Sequence, residues 1–222
     1  SFPRKRESKI SGFPIKAFGN DMLDRIHSAL RGGVDVIQLR SKALPDRALF
    51  ELGKKIRALT NRMNKLFIVN DRVDLMLACG ADGVHLGQDD LPIREARRLC
   101  GKQKLIIGRS THSLKQALDA EREGADYIGF GPIFGTPTKP AYEPVGLDSI
   151  REVVSRVKVP VVCIGGIDAS NVGRVIQAGA TRVAVVRAIF QAQDPGEAAR
   201  ELKNVLLRHC EAAFQERPKQ SQ

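Results

Sequence analysis

Cationic and hydroxyl side chains are concentrated in two short segments of this sequence, residues 38–42 and residues 136–139. The first contains Arg40 and Lys42, and the second contains two threonines followed by Lys139. A guanidinium can donate two parallel hydrogen bonds to an anion, whereas lysine acts as a point charge. Both segments therefore suit a phosphorylated ligand. The second segment also has a simpler interpretation, a rigid surface turn whose threonines bond to their own backbone.

Two acidic residues, Asp71 and Asp90, follow apolar runs and are expected close to these cations. Two carboxylates in an oxygen-rich site suit Mg²⁺, which takes one or two carboxylates and completes its shell with water and substrate phosphate oxygens. The alternative is an ordinary ion pair between Asp71 and Arg72 or Arg40. Isolated aspartates are a weak motif, so the residues alone leave both interpretations open.

A second anion site is predicted around residues 164–167, Ile-Gly-Gly-Ile. Gly165 and Gly166 let the backbone approach a ligand closely, and a helix starting near Ser170 can direct its amides there. Residues 185–188 lead into another helix start. Phosphate sites after the last two strands recur in phosphate-binding barrels. The alternative is close packing of a helix against a strand around the glycines.

Short apolar runs alternate with amphipathic stretches along the chain, which predicts parallel strands covered by helices on both faces. Gly33, Gly80, Gly124 and Gly179 each lie between a helix-like stretch and an apolar run, as expected at helix-to-strand corners. The predicted strands are residues 34–39, 66–69, 83–86, 105–108, 127–130, 161–164 and 183–186. This pattern predicts an α/β fold, a TIM (βα)₈ barrel whose first strand is degenerate or missing.

The missing strand should precede a helix around residues 22–30. Residues 10–20 fill that place poorly, because Pro14 lacks the amide that a central strand needs. Either residues 15–18 form a short irregular strand, or the barrel is open there. The expected organisation is a basic N-terminal segment (1–20), a barrel (21–210) and a polar C-terminal tail (211–222).

The polar residues of the predicted barrel follow the strands rather than precede them. In a parallel barrel all strand C-termini open on one face, so these side chains would meet at one pocket. They are Gln38, Arg40, Ser41, Lys42, Asn70, Asp71, Asp90, Ser110, Thr136, Thr138 and Lys139, together with the two glycines of residues 164–167. A polyanion with Mg²⁺ on one side and a monophosphate on the other suggest two phosphorylated substrates joined in the pocket.

Composition narrows the class of partner. The net charge of +11 fits anionic partners, but the cations are spread along the chain, which favours phosphorylated small molecules over nucleic acid. No apolar run approaches the ~18 residues of a membrane span. The cysteines fit no metal-ligand spacing and indicate reduced, mostly buried thiols of a cytoplasmic protein; they are Cys79, Cys100, Cys163 and Cys210. The sequence is also compatible with a homo-oligomer.

The histidines give no clear catalytic group. Ser110 and His112 could form an acyl-transfer pair, but no acid or oxyanion donor accompanies them. His85 is expected to point into a polar layer of the barrel rather than at a substrate. His27 is expected to be structural, and His209 lies near a helix C-terminus, where a cation is favoured.

Together these segments resemble the thiamine-phosphate synthase family over about residues 34–208. The segments that carry the resemblance are residues 38–42, 70–72, 83–90, 108–110, 136–139 and 164–167. The resemblance implies a (βα)₈ barrel that joins 4-amino-2-methyl-5-(diphosphooxymethyl)pyrimidine to a thiazole phosphate, giving thiamine phosphate and pyrophosphate. The chain would then be a Mg²⁺-dependent transferase of thiamine biosynthesis.

The resemblance also implies a role for each site residue. The pyrimidine diphosphate would be held by Gln38, Leu39, Arg40, Ser41, Lys42, Asn70, Ser110 and Lys139. Mg²⁺ would be held by Asp71 and Asp90. The thiazole phosphate would be held by Thr136, Pro137, Thr138, Gly166, Val186 and Arg187, the last three largely through backbone amides. The implied catalytic residues are Arg40, Lys42, Ser110 and Lys139. The three cationic side chains among them would stabilise the departing diphosphate before the thiazole nitrogen attacks.

Two departures from the family pattern bear on activity. The family usually opens with an apolar strand ending in an acidic residue, and this sequence has no convincing counterpart. The position of Arg187 often holds a small hydroxyl residue, so the guanidinium could hold the thiazole phosphate or turn outward.

Two alternatives to the synthase follow from these residues. One is the thiazole tautomerase branch of the same family, an isomerase that moves a proton with a histidine. Residues 108–113 resemble the sequence pattern of that branch. That branch lacks the complete diphosphate and Mg²⁺ set, which is present here. The other is a catalytically impaired barrel acting as a basic binding module, which the charge of +11 and the doubtful first strand motivate.

Overall fold

The computed structural model of the protein describes residues 15–135 and 143–215. These residues form a curled sheet of seven parallel strands in the sequential order β1-β2-β3-β4-β5-β6-β7. The strands are β1 (Val36–Leu39), β2 (Leu66–Asn70), β3 (Gly83–Leu86), β4 (Ile106–Thr111), β5 (Tyr127–Phe130), β6 (Val161–Ile164) and β7 (Val183–Ala184). This architecture confirms the predicted parallel α/β barrel with an incomplete strand set.

Helices connect successive strands and cover the outer face of the sheet. They are α1 (Ile15–Arg31), α2 (Asp46–Arg62), α3 (Val73–Cys79), α4 (Ile93–Cys100), α5 (Leu114–Arg122), α6 (Asp148–Arg156), α7 (Val172–Gln177), α8 (Arg187–Phe190) and α9 (Pro195–Gln215). The expected corner glycines take positive φ angles, and Gly80 ends α3 in the left-handed conformation at φ 65°. Glycine adopts this conformation without a Cβ clash, which explains the residue type at that corner.

Strand side chains alternate between the helices and the concave face of the sheet. In β1, Ile37 and Leu39 are buried, whereas Val36 and Gln38 are exposed. A Cβ added at Gly53 of α2 would lie 3.5 Å from Leu39 Cδ2, so the side chain of Leu39 faces the helix layer. The main core therefore lies between sheet and helices, whereas the concave face carries polar residues such as Gln38 together with apolar residues such as Ile68 and Ile106.

Asp82 fixes the end of the sheet opposite to the expected pocket. Its Oδ2 accepts hydrogen bonds from Arg57 Nη1 and from the Phe67 amide, both at 2.7 Å. Asp126 repeats the arrangement: its Oδ2 accepts hydrogen bonds from Arg97 Nη2 at 2.8 Å and from the Ile107 amide at 2.7 Å. The two Gly-Ala-Asp segments of the sequence are thus equivalent joints between a helix and the start of a strand.

The sheet is open between β7 and β1 within the described part of the chain. Residues 15–18, one candidate for the first strand, begin helix α1 instead, and residues 1–14 lie outside the described residues. Val36 is 44% exposed at this open edge. Arg25 nevertheless ties α1 to the end of α8, donating from Nη2 to the carbonyl of Phe190 at 2.8 Å. Helix α1 is therefore docked in its barrel position beside an open seam.

Candidate functional site

The loop after β1 carries the first predicted cations. Arg40 and Lys42 are exposed. Ser41 Oγ accepts hydrogen bonds from the amides of Ala43 and Leu44, at 3.3 and 3.1 Å, so this hydroxyl shapes the turn before α2. Because the Leu39 side chain faces the helices, Leu39 offers a ligand on the concave side only its backbone.

Asp71 and Asp90 lie in the loops that follow two neighbouring strands. The amide of Asp71 donates to the carbonyl of His85 at 2.8 Å, which ties the end of β2 to β3. Asp71 has φ 62°, a left-handed conformation that aspartate tolerates better than most residues and that is frequent at functional sites. Asp90 Oδ2 accepts from the Gly87 amide at 2.6 Å, which leaves Oδ1 outside that contact.

Arg109 holds the loop that carries Asp90. Its Nη2 donates to the carbonyl of Gln88 at 3.1 Å and its Nη1 donates to the carbonyl of Leu91 at 3.2 Å. The Gln88 side chain in turn donates to the carbonyl of Ser110 at 2.5 Å. Two strand residues of β4 thus fix the position of this loop from both sides.

Ser110 belongs to a polar line on the concave face of the sheet. Its Oγ lies 2.9 Å from His85 Nε2, and His85 Nδ1 lies 2.9 Å from the hydroxyl of Tyr127. Burial raises the pKa of the Tyr127 hydroxyl, so the phenol stays neutral. The expected polar layer at His85 is therefore present. Ser110 Oγ thus contacts His85, whereas His112 Nδ1 contacts the carbonyl of Gly131.

The loop after β6 provides the predicted glycine site. Gly166 has φ 65°, and a Cβ there would lie 2.7 Å from the Cβ of Phe134, so only glycine fits without displacement. Asn171 Nδ2 donates to the Gly166 carbonyl at 2.9 Å and orients this peptide. Val186 and Arg187 are exposed where β7 leads into α8. Backbone amides near Gly166 and Arg187 are thus available to one ligand group.

One cavity of about 2290 Å³ joins most of the predicted site residues. Those that line it are Gln38, Leu39, Arg40, Ser41, Asn70, Ser110, Gly166, Val186 and Arg187. Lys42, Asp71 and Asp90 belong to the same loops but do not line the cavity. Thr136, Pro137, Thr138 and Lys139 lie outside the described residues. The cavity also extends along the open seam past Met22 and Ile26, and it reaches Asp126 and Lys203 at the opposite end of the sheet, so it is larger than the predicted site alone.

Sequence reasoning missed two residues that shape this site. Tyr127 and Arg109 were not predicted to contact site residues. The signal for Tyr127 is period-two alternation, because it stands two positions before Gly129, which also lines the cavity. No sequence signal identifies which carbonyls Arg109 reaches.

Protein side chains on this face supply only some of the oxygen ligands that a hard divalent cation such as Mg²⁺ needs. Among residues 15–135 and 143–215, no group of three or more His, Cys, Asp or Glu side chains is placed to hold a metal ion. Asp71 and Asp90, at the ends of adjacent strands, offer two carboxylates. This number fits Mg²⁺, which takes its remaining oxygens from water and substrate phosphates.

Two further findings concern the class of protein. No helix of the described residues is long and apolar enough to cross a membrane. Cys79, Cys100 and Cys163 are free and buried, as predicted, whereas the side chain of Cys210 is not described.

Comparison with known proteins identifies the family. The family model described as thiamine monophosphate synthase matches residues 13–189. A thiamine-phosphate synthase of Gloeobacter violaceus is 51% identical over 176 residues, which cover 79% of this chain and 51% of the relative. A thiamine-phosphate synthase of Pyrococcus horikoshii is 46% identical over 181 residues, covering 82% of this chain and 86% of the relative.

The fold comparison agrees with the sequence comparison. A solved thiamine phosphate pyrophosphorylase from Pyrococcus furiosus superposes with a TM-score of 0.78 at 42% identity, covering 84% of this chain and 90% of that chain. A 3-hexulose-6-phosphate synthase structure, at 19% identity and a TM-score of 0.64, shares the fold. The chain spans about half the length of the cyanobacterial relatives it matches, between 51% and 59%. By the extent of the sequence match and the superposition, the chain belongs to the thiamine monophosphate synthase family.

Proposed function

We propose that this chain is a thiamine-phosphate synthase. It condenses 4-amino-2-methyl-5-(diphosphooxymethyl)pyrimidine with a thiazole phosphate and releases pyrophosphate. The observation that carries this proposal is that Arg40, Asn70, Ser110 and Gly166, which lie at or just after the ends of β1, β2, β4 and β6, all line one cavity on the concave side of the sheet. Two phosphorylated groups bound at opposite sides of one mouth are what a condensation of two phosphate esters requires.

The diphosphate binds on the β1–β4 side of the cavity. Arg40 offers a two-pronged donor, and Asn70 and Ser110 offer neutral donors. Lys42, from the exposed part of the β1 loop, adds a point charge, as does Lys139 from outside the described residues. Charge grows on the diphosphate as its bond to the pyrimidine methylene breaks, so these donors act most strongly in the transition state.

Asp71 and Asp90 would hold Mg²⁺ on this side. Bound there, the ion supplies Lewis-acid stabilisation of the departing diphosphate oxygens. The chain contributes the placement of the two carboxylates, through the Asp71 amide bonded to the His85 carbonyl and through the Arg109 contacts to the Asp90 loop.

The thiazole phosphate binds on the β6–β7 side. The amides around Gly166, Val186 and Arg187 hold it, together with the hydroxyls of Thr136 and Thr138 and the backbone of Pro137. Its ring nitrogen then attacks the pyrimidine methyl cation left by diphosphate departure. Gln38 holds the pyrimidine in line for this attack.

No protein nucleophile takes part in this mechanism. Ser110 Oγ lies beside His85 Nε2, but Nδ1 of the same imidazole contacts the Tyr127 hydroxyl, where a nucleophile triad has a carboxylate. The hydroxyl therefore serves as a hydrogen-bond donor to the diphosphate and not as an attacking group. We place this activity in the cytoplasm, with small molecules as the partners. The proposal is compatible with a homo-oligomer.

The test is pyrophosphate release measured with both substrates, with each substrate alone, and with both substrates plus EDTA. Release is expected only with both substrates and Mg²⁺. Ser110→Ala should lower kcat by ~10²-fold, as for loss of one transition-state donor. Ser155→Ala is the matched control, because Ser155 is exposed on α6 and its hydroxyl bonds locally to the carbonyl of Glu152. Release from the pyrimidine diphosphate alone, at the two-substrate rate, would contradict the proposal.

A further inference from the structure

The buried line Tyr127–His85–Ser110 determines which way the Ser110 hydroxyl points. Its three members come from β5, β3 and β4, and both links are 2.9 Å long. His85 is 9% exposed and lies on the concave face, where its ring is tilted 33° to that of Tyr127 with centroids 5.4 Å apart. The line ends at a residue that borders the cavity, so its internal order affects the site.

Glycines on the neighbouring strands leave the space that the two rings occupy. A Cβ added at Gly108 would lie 2.2 Å from Tyr127 Cζ, and a Cβ added at Gly129 would lie 3.0 Å from His85 Cε1. A side chain at Gly108 would displace the Tyr127 ring, and one at Gly129 would press on His85. The glycines at these two positions therefore allow the observed contact between the rings.

The direction of the first hydrogen bond follows from the burial of Tyr127. Burial raises the pKa of this hydroxyl, so the oxygen keeps its proton. Tyr127 is half-buried, and among the described residues the group in hydrogen-bond contact with its hydroxyl is His85 Nδ1, which is the acceptor this hydrogen has there. Tyr127 therefore donates and Nδ1 accepts.

The direction of the second hydrogen bond follows from the first. A neutral imidazole that accepts at one nitrogen carries its hydrogen on the other. His85 Nε2 therefore donates to Ser110 Oγ. Since that oxygen already accepts, its own hydrogen is left to donate elsewhere, towards the cavity that Ser110 lines. In the opposite order, Ser110 would donate inward and present only lone pairs to an anion.

We propose that Tyr127 and His85 are positioning residues that fix the hydrogen-bond order so that the Ser110 hydroxyl donates to an anionic oxygen of the bound diphosphate. This inference rests on the proposed function in assigning the diphosphate to Ser110. The order itself is a property of the substrate-free protein. It can therefore be tested whether or not the chain turns over substrate.

The first test is ¹⁵N NMR of the histidine side chains in the substrate-free protein. Long-range ¹H–¹⁵N correlations distinguish the Nε2–H from the Nδ1–H tautomer, and the His85 signals are assigned by their loss in His85→Gln. The expected wild-type form is Nε2–H. Tyr127→Phe, which keeps the ring and removes the donor, should convert His85 to a mixture or to Nδ1–H. A wild-type His85 in the Nδ1–H or the doubly protonated form would overturn the proposal.

The second test uses inorganic pyrophosphate with Mg²⁺ as the ligand, with affinity measured by isothermal titration calorimetry. Tyr127→Phe should weaken binding by about tenfold, the equivalent of one hydrogen bond. In a Ser110→Ala background the same change should have no further effect, because its action passes through Ser110. An equal loss in both backgrounds would show a merely structural role. If the synthase assay failed while the His85 tautomer and the pyrophosphate affinities were as expected, the proposed function would be rejected and the hydrogen-bond order would stand.

Discussion

The Nη2 atom of Arg109 lies 3.1 Å from the carbonyl oxygen of Gln88, and this contact joins strand β4 to the loop that carries Asp90. The same guanidinium reaches the carbonyl of Leu91, so both flanks of Asp90 are bonded to one side chain. A carboxylate that serves a metal ion benefits from such support, because a fixed loop loses less conformational entropy when the ion binds.

Replacement of Arg109 should lower the apparent affinity for Mg²⁺ more than it lowers the stability of the folded protein. In Arg109→Leu two charge-assisted hydrogen bonds are lost, and the apparent affinity for Mg²⁺ should fall by about tenfold. The measurement is initial pyrophosphate release against Mg²⁺ concentration. Arg98→Leu is the control, since Arg98 is exposed on α4 and pairs with Glu95 on the same helix. An unchanged Mg²⁺ dependence in Arg109→Leu would show that its carbonyl contacts do not support the Asp90 loop.

Neutralising Asp90 tests the metal assignment directly. Asp90→Asn keeps an oxygen that can accept from the Gly87 amide, so the loop contact at 2.6 Å can persist while the charge is lost. Turnover should fall by ~10²-fold, as expected when a carboxylate of the metal site is removed, and excess Mg²⁺ should partly restore it. Asp119→Asn, in surface ion pairs on α5, should leave the rate unchanged. A wild-type rate for Asp90→Asn at limiting Mg²⁺ would remove Asp90 from the metal site.

Asp82 is predicted to matter for stability and not for turnover. Asp82→Ala leaves the Phe67 amide and the Arg57 guanidinium without their shared acceptor. Loss of such a partly buried acceptor should lower the free energy of unfolding by about 1–3 kcal/mol. Urea unfolding measures this change, with Asp74→Ala as the surface control. Because Asp82 lies at the opposite end of the sheet, kcat of the folded variant should stay at the wild-type value.

Sequence patterning located most of the sheet because each strand has a compact apolar run. Strands β3, β5 and β6 begin and end at the predicted residues. Strand β4 was predicted to end at Gly108 because hydropathy falls at Arg109, yet it continues to Thr111, where the side-chain hydroxyl donates to the Gly129 carbonyl. Hydrogen bonding to the neighbouring strand, which hydropathy does not report, extends that strand and places Ser110 inside it.

The internal contacts of the site depend on register and could not be predicted from the sequence. Tyr127 pairs with Gly108 and His85 also pairs with Gly108, from the two sides of β4. That register brings the Tyr127 hydroxyl to His85, although the two residues are 42 positions apart. By contrast, the positions of Arg40 and Asn70 at the cavity were predictable, because every strand end of a parallel barrel opens on the same face.

Asp35 predicts a modest dependence of stability on pH. Burial alone would raise the pKa of its carboxyl, but hydrogen bonds from Lys203 and Lys65 outweigh it and hold the pKa below its usual value. The stabilisation is therefore present above the unfolded-state pKa of about 3.9 and is lost as pH falls through the lower folded-state value. Asp35→Asn should lower the free energy of unfolding at pH 7 by up to about 1 kcal/mol, since the pair is largely solvated. Urea unfolding at several pH values should show the difference between wild type and variant shrinking below pH 4; a constant difference would contradict the assignment.

The buried thiols should resist alkylation while the barrel is folded. Burial raises the pKa of Cys163 to about 12 and raises the pKa of Cys79 and Cys100 as well, so little thiolate is present at neutral pH. A Cys210→Ser variant removes the one thiol outside the described side chains. In that background, iodoacetamide followed by mass spectrometry should show no modification of the native protein and three modified cysteines in urea. Rapid native labelling of Cys163 would mean that the layer between β6 and its covering helices opens readily, since access to that thiol requires the core around it to separate.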